Sequence, residues 1–472
     1  MLQYTLRIRD LVHGTILFTE KECQIINHPL FQRIRHVRQN DVAFYVYPSI
    51  NTSRFEHALG TCRVTGMMAE NLTKGSKWKT YLKELRNQTG IVSADEFIQL
   101  ARLYALLHDV GHLPLSHLFE MAVTEYGKFK KPPLDSQELI AGWTGKHGFK
   151  KLHEAFGAVI VEQIVRDVTL PEPIRRALLE LMTKKAISSS HTLSIIKLLV
   201  DSEIDADRID FVQRDGLLAG GEYGNYDIRR LCDSVFLEES GRGWFIAYSE
   251  KALTSMEALL LDRYRTHVWI HFHHRVITMK ILVRFLIVKA LEEGLITKEH
   301  FNPANIDKFS LRDDIWLWNI LRGIEAKDNL VKIIQRTVFY REKQNVFSLW
   351  KTRPAYHELW EQVKREARVL VIDYGKTDAY SKFLSENMGT HAMIFEVSFK
   401  ALTKDAVLLY SEAKKKLTGK NLLDISELIA HIETLWKDEP QEFILFAGKN
   451  VAQRAEQLKK KWFDLTVRRI RG

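Results

Sequence analysis

Only three cysteines occur in the 472 residues, Cys23, Cys62 and Cys232, and none lies near another in sequence. An odd, dispersed set argues against a disulfide framework and against a thiolate zinc site. Long hydrophobic runs are missing as well. No stretch approaches the ~18 consecutive apolar residues of a membrane span. The first residues, Met1 to Arg7, lack the apolar core of a signal peptide. No internal repeat or low-complexity tract is present. A soluble, cytoplasmic protein with no membrane partner is expected.

Hydrophobic residues make up 46% of the chain, ample for a packed interior. At roughly 150 residues per domain, the length suggests about two or three units. Sixty-nine basic residues against 59 acidic ones leave +10. Such a charge favours an anionic partner, a phosphorylated ligand or nucleic acid, or is simply tolerated by a large protein. The 18 histidines are more informative because they cluster.

Leu6 to Glu20 alternates in short bursts around His13-Gly14 and reads as a hairpin. From about Asn27 to Gly294 the pattern is helical. Ser53-Arg54-Phe55-Glu56 and Ser93-Ala94-Asp95-Glu96 are spaced as capping boxes. Ile195–Arg214 forms a third helical stretch, and Ser249–Glu293 a long one ending at Gly294. Lys128–Gly148 reads as a loop or lid, and Gly216–Gly224, with four glycines, cannot be regular helix. Beyond residue 295, strands are expected at Arg368–Ile372, Met393–Val397 and Phe443–Phe446, with amphipathic helices between them. The fold class is therefore mainly α, with an N-terminal β-hairpin, a helical domain over 1–294 and an α+β lobe over 295–472. The basic run Lys459–Arg471 reads as a solvated tail or as a contact for nucleic acid or an acidic partner.

One constellation carries chemistry. His57 stands four residues after the N-cap of its helix. His108-Asp109 follows the apolar run of the second helix. Asp207 lies in the third, within Ile204-Asp205-Ala206-Asp207-Arg208-Ile209-Asp210. Burying imidazoles and carboxylates together is costly unless something accepts their lone pairs. A divalent ion does so, and two histidines with two carboxylates suit iron, manganese, zinc or magnesium. Any one of these residues alone is more simply a core histidine or a solvated acid; the ordered set is not. His112 would share the face of His108 if that helix continued. Pro114 bends the chain so that His117 arrives from another direction. His153-Glu154 adds a further His–carboxylate pair suited to holding phosphate or moving a proton.

At these residues the sequence resembles the HD-domain deoxynucleoside triphosphate triphosphohydrolases, a group that includes the vertebrate SAM-and-HD-domain enzyme and bacterial dGTPases. The stretches that carry the resemblance are Arg9–Gly14, Phe31–Arg35 with Arg54–Gly60, His108–His112 with Ser116-His117, and Asp205–Phe211 with Arg214-Asp215. They cover roughly residues 5–290. The resemblance implies an HD-domain helical core and a metal held by His57, His108, Asp109 and Asp207. It implies phosphate contacts and chemistry at Arg54, His112, His117 and His153, with His117 protonating the departing 5′ oxygen. Arg208 stands where a lysine is usual and still supplies a cation. Gln39 and Asp215 align with contacts to the deoxyribose, and Arg263, His267 and His271 with further substrate contacts. Asn27, Gln32 and Arg35 match a nucleotide-effector site in which the first position is typically an aspartate. Two departures touch the sugar: Gln39-Asn40-Asp41 replaces Gln-Leu-Gly, and Phe211 and His271 replace tyrosines. The implied activity is hydrolysis of (deoxy)nucleoside triphosphates to nucleoside plus triphosphate by a homo-oligomer. Another HD phosphohydrolase, a nucleotidase or a phosphodiesterase on cyclic or single-stranded nucleic-acid substrates, and a non-catalytic nucleotide sensor are the alternatives.

Overall fold

The computed structural model describes residues 2–129, 134–183, 187–188, 190–326, 328–369, 376–397, 407–437 and 439–471. The chain forms two compact units that interleave along the sequence. Unit 1 comprises 1–267, 296–317 and 401–433; unit 2 comprises 268–295, 318–400 and 434–472. These are not the contiguous spans 1–294 and 295–472 expected above, because segments from beyond residue 295 return to unit 1.

Unit 1 opens with the expected hairpin, strands β1 (Tyr4–Asp10) and β2 (Gly14–Thr19), paired antiparallel. Helix α1 (Glu20–Ile26) follows at once, begun by a reciprocal capping box between Thr19 and Glu22. The helices that carry the site are α2 (Arg54–Leu72), α3 (Ala94–Leu107), α4 (His117–Phe129), α5 (Leu152–Asp167) and α6 (Ala206–Leu218). Helices α2 and α3 pack along each other, and α6 packs on α2. Gly60 permits that second contact: a Cβ there would lie 1.8 Å from the Asp210 carboxylate on α6. Ser53 and Glu56 form the capping box expected at α2. At α3 only half of the expected box exists. Ser93 accepts from Glu96 N, but the Glu96 carboxylate turns back to Val92 N at 2.7 Å.

Several local expectations are corrected. The stretch Ile195–Arg214 is two helices, Ser194–Val200 and α6, because Asp205 breaks off to cap α6 through Arg208 N. Gly216 still lies in α6, so the irregular segment starts only after Leu218. Lys128–Gly148 is not one open loop: Asp135 and Glu138 form a capping box, Ser136–Thr144 is helical, and Gly145 ends it at φ +68°; residues 130–133 lie outside the described ones. The helical region is also interrupted by a hairpin, β3 (Val235–Ser240) and β4 (Gly243–Ser249). Helix α7 (Leu253–Thr266) then runs into the π-helical turn His267–His271, so Ser249–Glu293 is not one continuous helix. Strands β5 (Leu408–Ser411) and β6 (Lys416–Asn421) complete a four-stranded sheet in the order β3-β4-β5-β6, with β4 and β5 parallel.

Unit 2 contains the apolar helix His274–Glu292, ended by Gly294 at φ +71°. Its three-stranded antiparallel sheet has the order Val346–Ser348, Glu442–Ala447, His391–Glu396, so the last two expected strands are present. The strand expected at Arg368–Ile372 falls largely outside the described residues. Arg368 itself caps helix Arg353–Ala367 at φ +60°. The basic C-terminal run is not a loose tail. It belongs to helix Ala455–Arg471, which buries Leu458, Trp462 and Val467. Trp462 packs edge-on against Trp360 at 5.4 Å, and Arg469 lies over the Phe383 ring at 4.6 Å. Among the described residues, no helix is long and apolar enough to cross a membrane.

A buried ion pair ties the hairpin to the helix that leads into His108-Asp109. Glu22 is fully buried and accepts from Arg102 Nε at 2.7 Å, Arg102 Nη2 at 2.8 Å, Gln99 Nε2 at 2.8 Å and Thr19 N at 2.9 Å. Arg102 also donates to Leu17 O. Every lone pair of the carboxylate is used, which is the condition under which such a pair survives burial. Glu22→Ala strands the guanidinium and should cost about 3–5 kcal/mol. Denaturant unfolding checks this, and a cost below ~1 kcal/mol would show the pair to be dispensable.

Candidate active site

Helix α3 stops at Leu107, and His108 is its C-cap. The next residues turn rather than continue, with Val110 N bonded to Leu107 O and His112 N to Asp109 O. His112 therefore does not extend the face of His108, as helix continuation would have required. Gly111 makes the turn possible beside α5: a Cβ there would lie 2.0 Å from His153 O and 2.3 Å from Gly157 N. Leu115 and Ser116 then take φ +53° and +52° before α4 begins at His117. Two successive left-handed non-glycine residues cost about 1–2 kcal/mol each, so their surroundings must hold them.

Four side chains converge from α2, the end of α3 and the first turn of α6. One ligand atom each of His57, His108, Asp109 and Asp207 lies within 4.8 Å of the others. His57 Nε2 is 2.8 Å from Asp207 Oδ1 and 3.8 Å from Asp109 Oδ2. His108 Nε2 is 3.4 Å from Asp109 Oδ2 and 3.7 Å from Asp207 Oδ1. Adjacent ligands around an ion with bonds of about 2.1 Å stand roughly 3.0–3.4 Å apart.

The proton positions fit a cation. His57 Nδ1 donates to the Asp210 carboxylate at 2.8 Å, and His108 Nδ1 donates to Ala105 O at 2.7 Å. Both Nε2 atoms therefore face the centre, and His108 Nε2 is buried with no hydrogen-bond partner among the described residues. Burial opposes charge on His57, but Asp207 and Asp210 outweigh it and hold the imidazole up to about 9. His108 is also raised, against burial, by Asp109 and Asp207. Asp109 stays ionised despite its burial because Arg54, His108 and His112 surround it. The group is built for positive charge, as a proton pair or a metal ion, and its residues could hold a divalent ion.

Asp210 anchors this centre from behind. It accepts from His57, from Arg214 Nη2 at 2.7 Å and from His13 Nε2 at 2.7 Å. Arg214 also bonds Asp10 at 2.8 Å. The turn of the N-terminal hairpin thus reaches His57 through one carboxylate, an arrangement that would fix a metal-binding imidazole.

A second cluster sits beside the first. His112, His117 and His153 each bring a ring nitrogen within 4.8 Å of the others. The His112 and His153 rings stack at 4.1 Å, and His117 stands edge-on to both, at 4.7 and 5.1 Å. Asp109 links the clusters: Oδ1 lies 3.4 Å from His112 Nε2, and Oδ2 pairs with Arg54 Nη1. The carboxylate serving these histidines is Glu120, which sequence reading missed. It accepts from His153 Nδ1 at 2.7 Å, lies 3.6 Å from His117 Nδ1, and also accepts from Leu152 N. Its spacing of three residues after His117 was the available signal. Glu154, nominated instead, is exposed and pairs with Lys151 at 3.3 Å, because its place on α5 points it away from His153's partner. Desolvation, with His153 and Arg54, pushes His117 below its ordinary value while Glu120 pulls it up. The His117 side chain is nonetheless 57% exposed, so water reaches it and an arriving anion would raise it.

The remaining nominated residues fall as follows. Arg208 pairs with Asp205 at the head of α6, and buried Arg263 lies 3.6 Å from Glu203. Asp215 is buried and accepts from Asn40 Nδ2 at 2.7 Å. Gln39 has its Oε1 buried with no hydrogen-bond partner among the described residues. Asp41 adopts φ +39° where the resemblance expects glycine, a conformation aspartate tolerates better than most residues. Phe211 and His267 stand edge-on at 6.4 Å. His271 closes the π-helical turn on the unit 2 side of the boundary. Asn27 caps α1, Gln32 donates to Ile26 O, and Arg35 donates to Gln32 Oε1 at 2.6 Å while covering the Phe55 ring at 3.5 Å.

Comparison with known proteins agrees with this geometry. Residues 54–209 match the family model of the HD domain. Deoxynucleoside triphosphate triphosphohydrolases are among its relatives: SAMHD1 of Bos taurus is 25% identical over 424 residues, 79% of this chain and 67% of that protein. An uncharacterized protein of Methanocaldococcus jannaschii is 27% identical over 334 residues, 71% of this chain but only 58% of that protein. The crystal structure of a hypothetical protein from Aquifex aeolicus shares the fold, with a TM-score of 0.63 at 20% identity, covering 97% of this chain and 99% of that one.

Two variants test the centre. Asp207→Ala should abolish bound metal without unfolding the protein. Asp210→Asn leaves all four ligands in place and should weaken metal affinity by about 10–100-fold. Metal analysis after dialysis, with circular dichroism as the folding control, checks both; full metal content in Asp207→Ala would contradict the assignment.

Proposed function

We propose that this protein hydrolyses (deoxy)nucleoside triphosphates to nucleoside and triphosphate. The observation that carries the reading is the adjacency of two unlike clusters: one that collects lone pairs for a cation, and one of three histidines and Glu120 joined to it through Asp109 and Arg54. His57, His108, Asp109 and Asp207 would hold a divalent ion, which would supply Lewis-acid activation. Arg54 and Arg208 offer fixed cations for phosphate oxygens, where developing charge is best stabilised by donors already in place. His117, exposed at the mouth of the cluster, gives its proton to the departing 5′ oxygen. Glu120 holds His153 in one tautomer, and His153 in turn stacks on His112, so the polar wall keeps one geometry. Asp215 and Gln39 contact the sugar. The amide of Asn40, already on Asp215, makes ribonucleotides a necessary part of any substrate test.

The test is to incubate metal-loaded protein with each dNTP and NTP and identify the products. Nucleoside plus triphosphate is expected. Nucleoside monophosphate plus pyrophosphate, or orthophosphate alone, would assign another phosphohydrolase reaction. His117→Ala should retain metal and slow turnover by about 10²–10⁴-fold, the range for a lost general acid. A substrate whose leaving group needs no proton should lose much less.

Assembly into a homo-oligomer is part of the same proposal, supported by the resemblance of the Asn27, Gln32 and Arg35 segment to an effector site. Light scattering should give at least a dimer, with larger species when nucleotide is present. A monomer under all conditions would contradict it.

A further inference from the structure

The loop between the two clusters is held from outside the HD core, by residues some 200 positions later in the chain. Asp314 is buried, at 1% exposure. Its Oδ1 accepts from Leu115 N at 2.7 Å, and its Oδ2 accepts from Arg38 N at 3.1 Å, with Arg38 Nη1 at 3.4 Å. Leu115 is the first of the two left-handed residues that turn the chain into α4. Ser116, the second, donates to Arg38 O at 2.7 Å and accepts from Arg54 Nε at 2.9 Å. Beneath them lies buried Arg33. It donates to Val110 O at 2.9 Å, to His112 O at 2.7 Å and to Arg312 O at 3.2 Å. Residues 312–314 thus meet the loop twice, once directly and once through Arg33.

Asp314 and Arg33 reach this loop through its backbone, at Leu115 N, Val110 O and His112 O, and not through the side chains of either cluster. Their geometry acts on one thing, the backbone path from Val110 to Ser116 that decides where His112 and His117 stand. Left-handed φ values at leucine and serine are unfavourable in isolation. A buried carboxylate accepting the Leu115 amide is a specific reason for the loop to stay there. We propose that Asp314 is a positioning residue for turnover: it fixes the Leu115-Ser116 turn so that His117 is presented beside His153 and Glu120. The proposal rests on the assignment of His117 as proton donor given above, but its structural half can be tested apart from that assignment.

Asp314→Ala removes both acceptor oxygens. Asp314→Asn keeps the shape and one acceptor, and serves if the alanine variant does not fold. The expected result is a kcat lower by about 10²-fold, as for a misplaced reacting group, with KM and bound metal unchanged. Hydrogen exchange should quicken at residues 110–118 while α2 stays protected. The deciding measurement is the double variant Asp314→Ala with His117→Ala. If Asp314 acts through His117, the double variant is no slower than His117→Ala alone, since coupled residues are non-additive. Equal slowing by Asp314→Ala in both backgrounds, or loss of metal, would make Asp314 a general structural support and overturn the proposal. Unchanged exchange at 110–118 would overturn it as well. If wild-type protein cleaves no nucleotide, the functional reading fails on its own, and the exchange data together with the His117 imidazole resonances still decide whether Asp314 fixes the turn.

Discussion

Two imidazole lone pairs and two carboxylates point at one largely buried spot, and that arrangement is unfavourable unless positive charge fills it. Acceptors facing acceptors repel, and burial removes the water that would screen them. The surrounding structure is organised to hold this geometry. Asp210 and Ala105 O take the outward N–H of each histidine and aim the other nitrogen inward. Arg54 binds Asp109 from the side of the second cluster, so the carboxylate that serves the centre also orders the histidines.

Precision at the centre comes from elements that are far apart in sequence. Gly60 lets α6 come close enough to α2 for Asp210 to reach His57. The hairpin turn adds His13 to the same carboxylate, and its other end is fixed through Glu22 and Arg102 to the helix bearing His108. The loop that follows Asp109 is steered by Arg33 below and Asp314 behind. The four-residue group, the histidine cluster and the loop therefore share their supports.

Much of this was legible in the sequence, for identifiable reasons. The hairpin, the start of α2 at Ser53 and the end of α3 before His108 follow from local signals, namely turn residues, a capping box and apolar periodicity. The set His57, His108-Asp109 and Asp207 converges as its order along the chain suggested. What escaped depends on tertiary contact. Asp205 looks like one more acid in a helical run, yet it ends one helix and caps the next. Glu120 acts on His153, 33 residues away, while the adjacent Glu154 does not. Asp314 carries no local pattern at all, and its role appears only when Leu115 is found 199 residues away in sequence. The return of 296–317 and 401–433 to unit 1 is equally invisible to periodicity, which reports which face is buried but not against what.

The central claim is that one cation completes the group His57, His108, Asp109 and Asp207. Anomalous X-ray diffraction from crystals of the metal-loaded protein tests it most directly. The account predicts a single strong peak about 2.0–2.3 Å from His57 Nε2, His108 Nε2, and one oxygen each of Asp109 and Asp207. Fully loaded crystals with no peak there, or with a peak only among His112, His117 and His153, would contradict it.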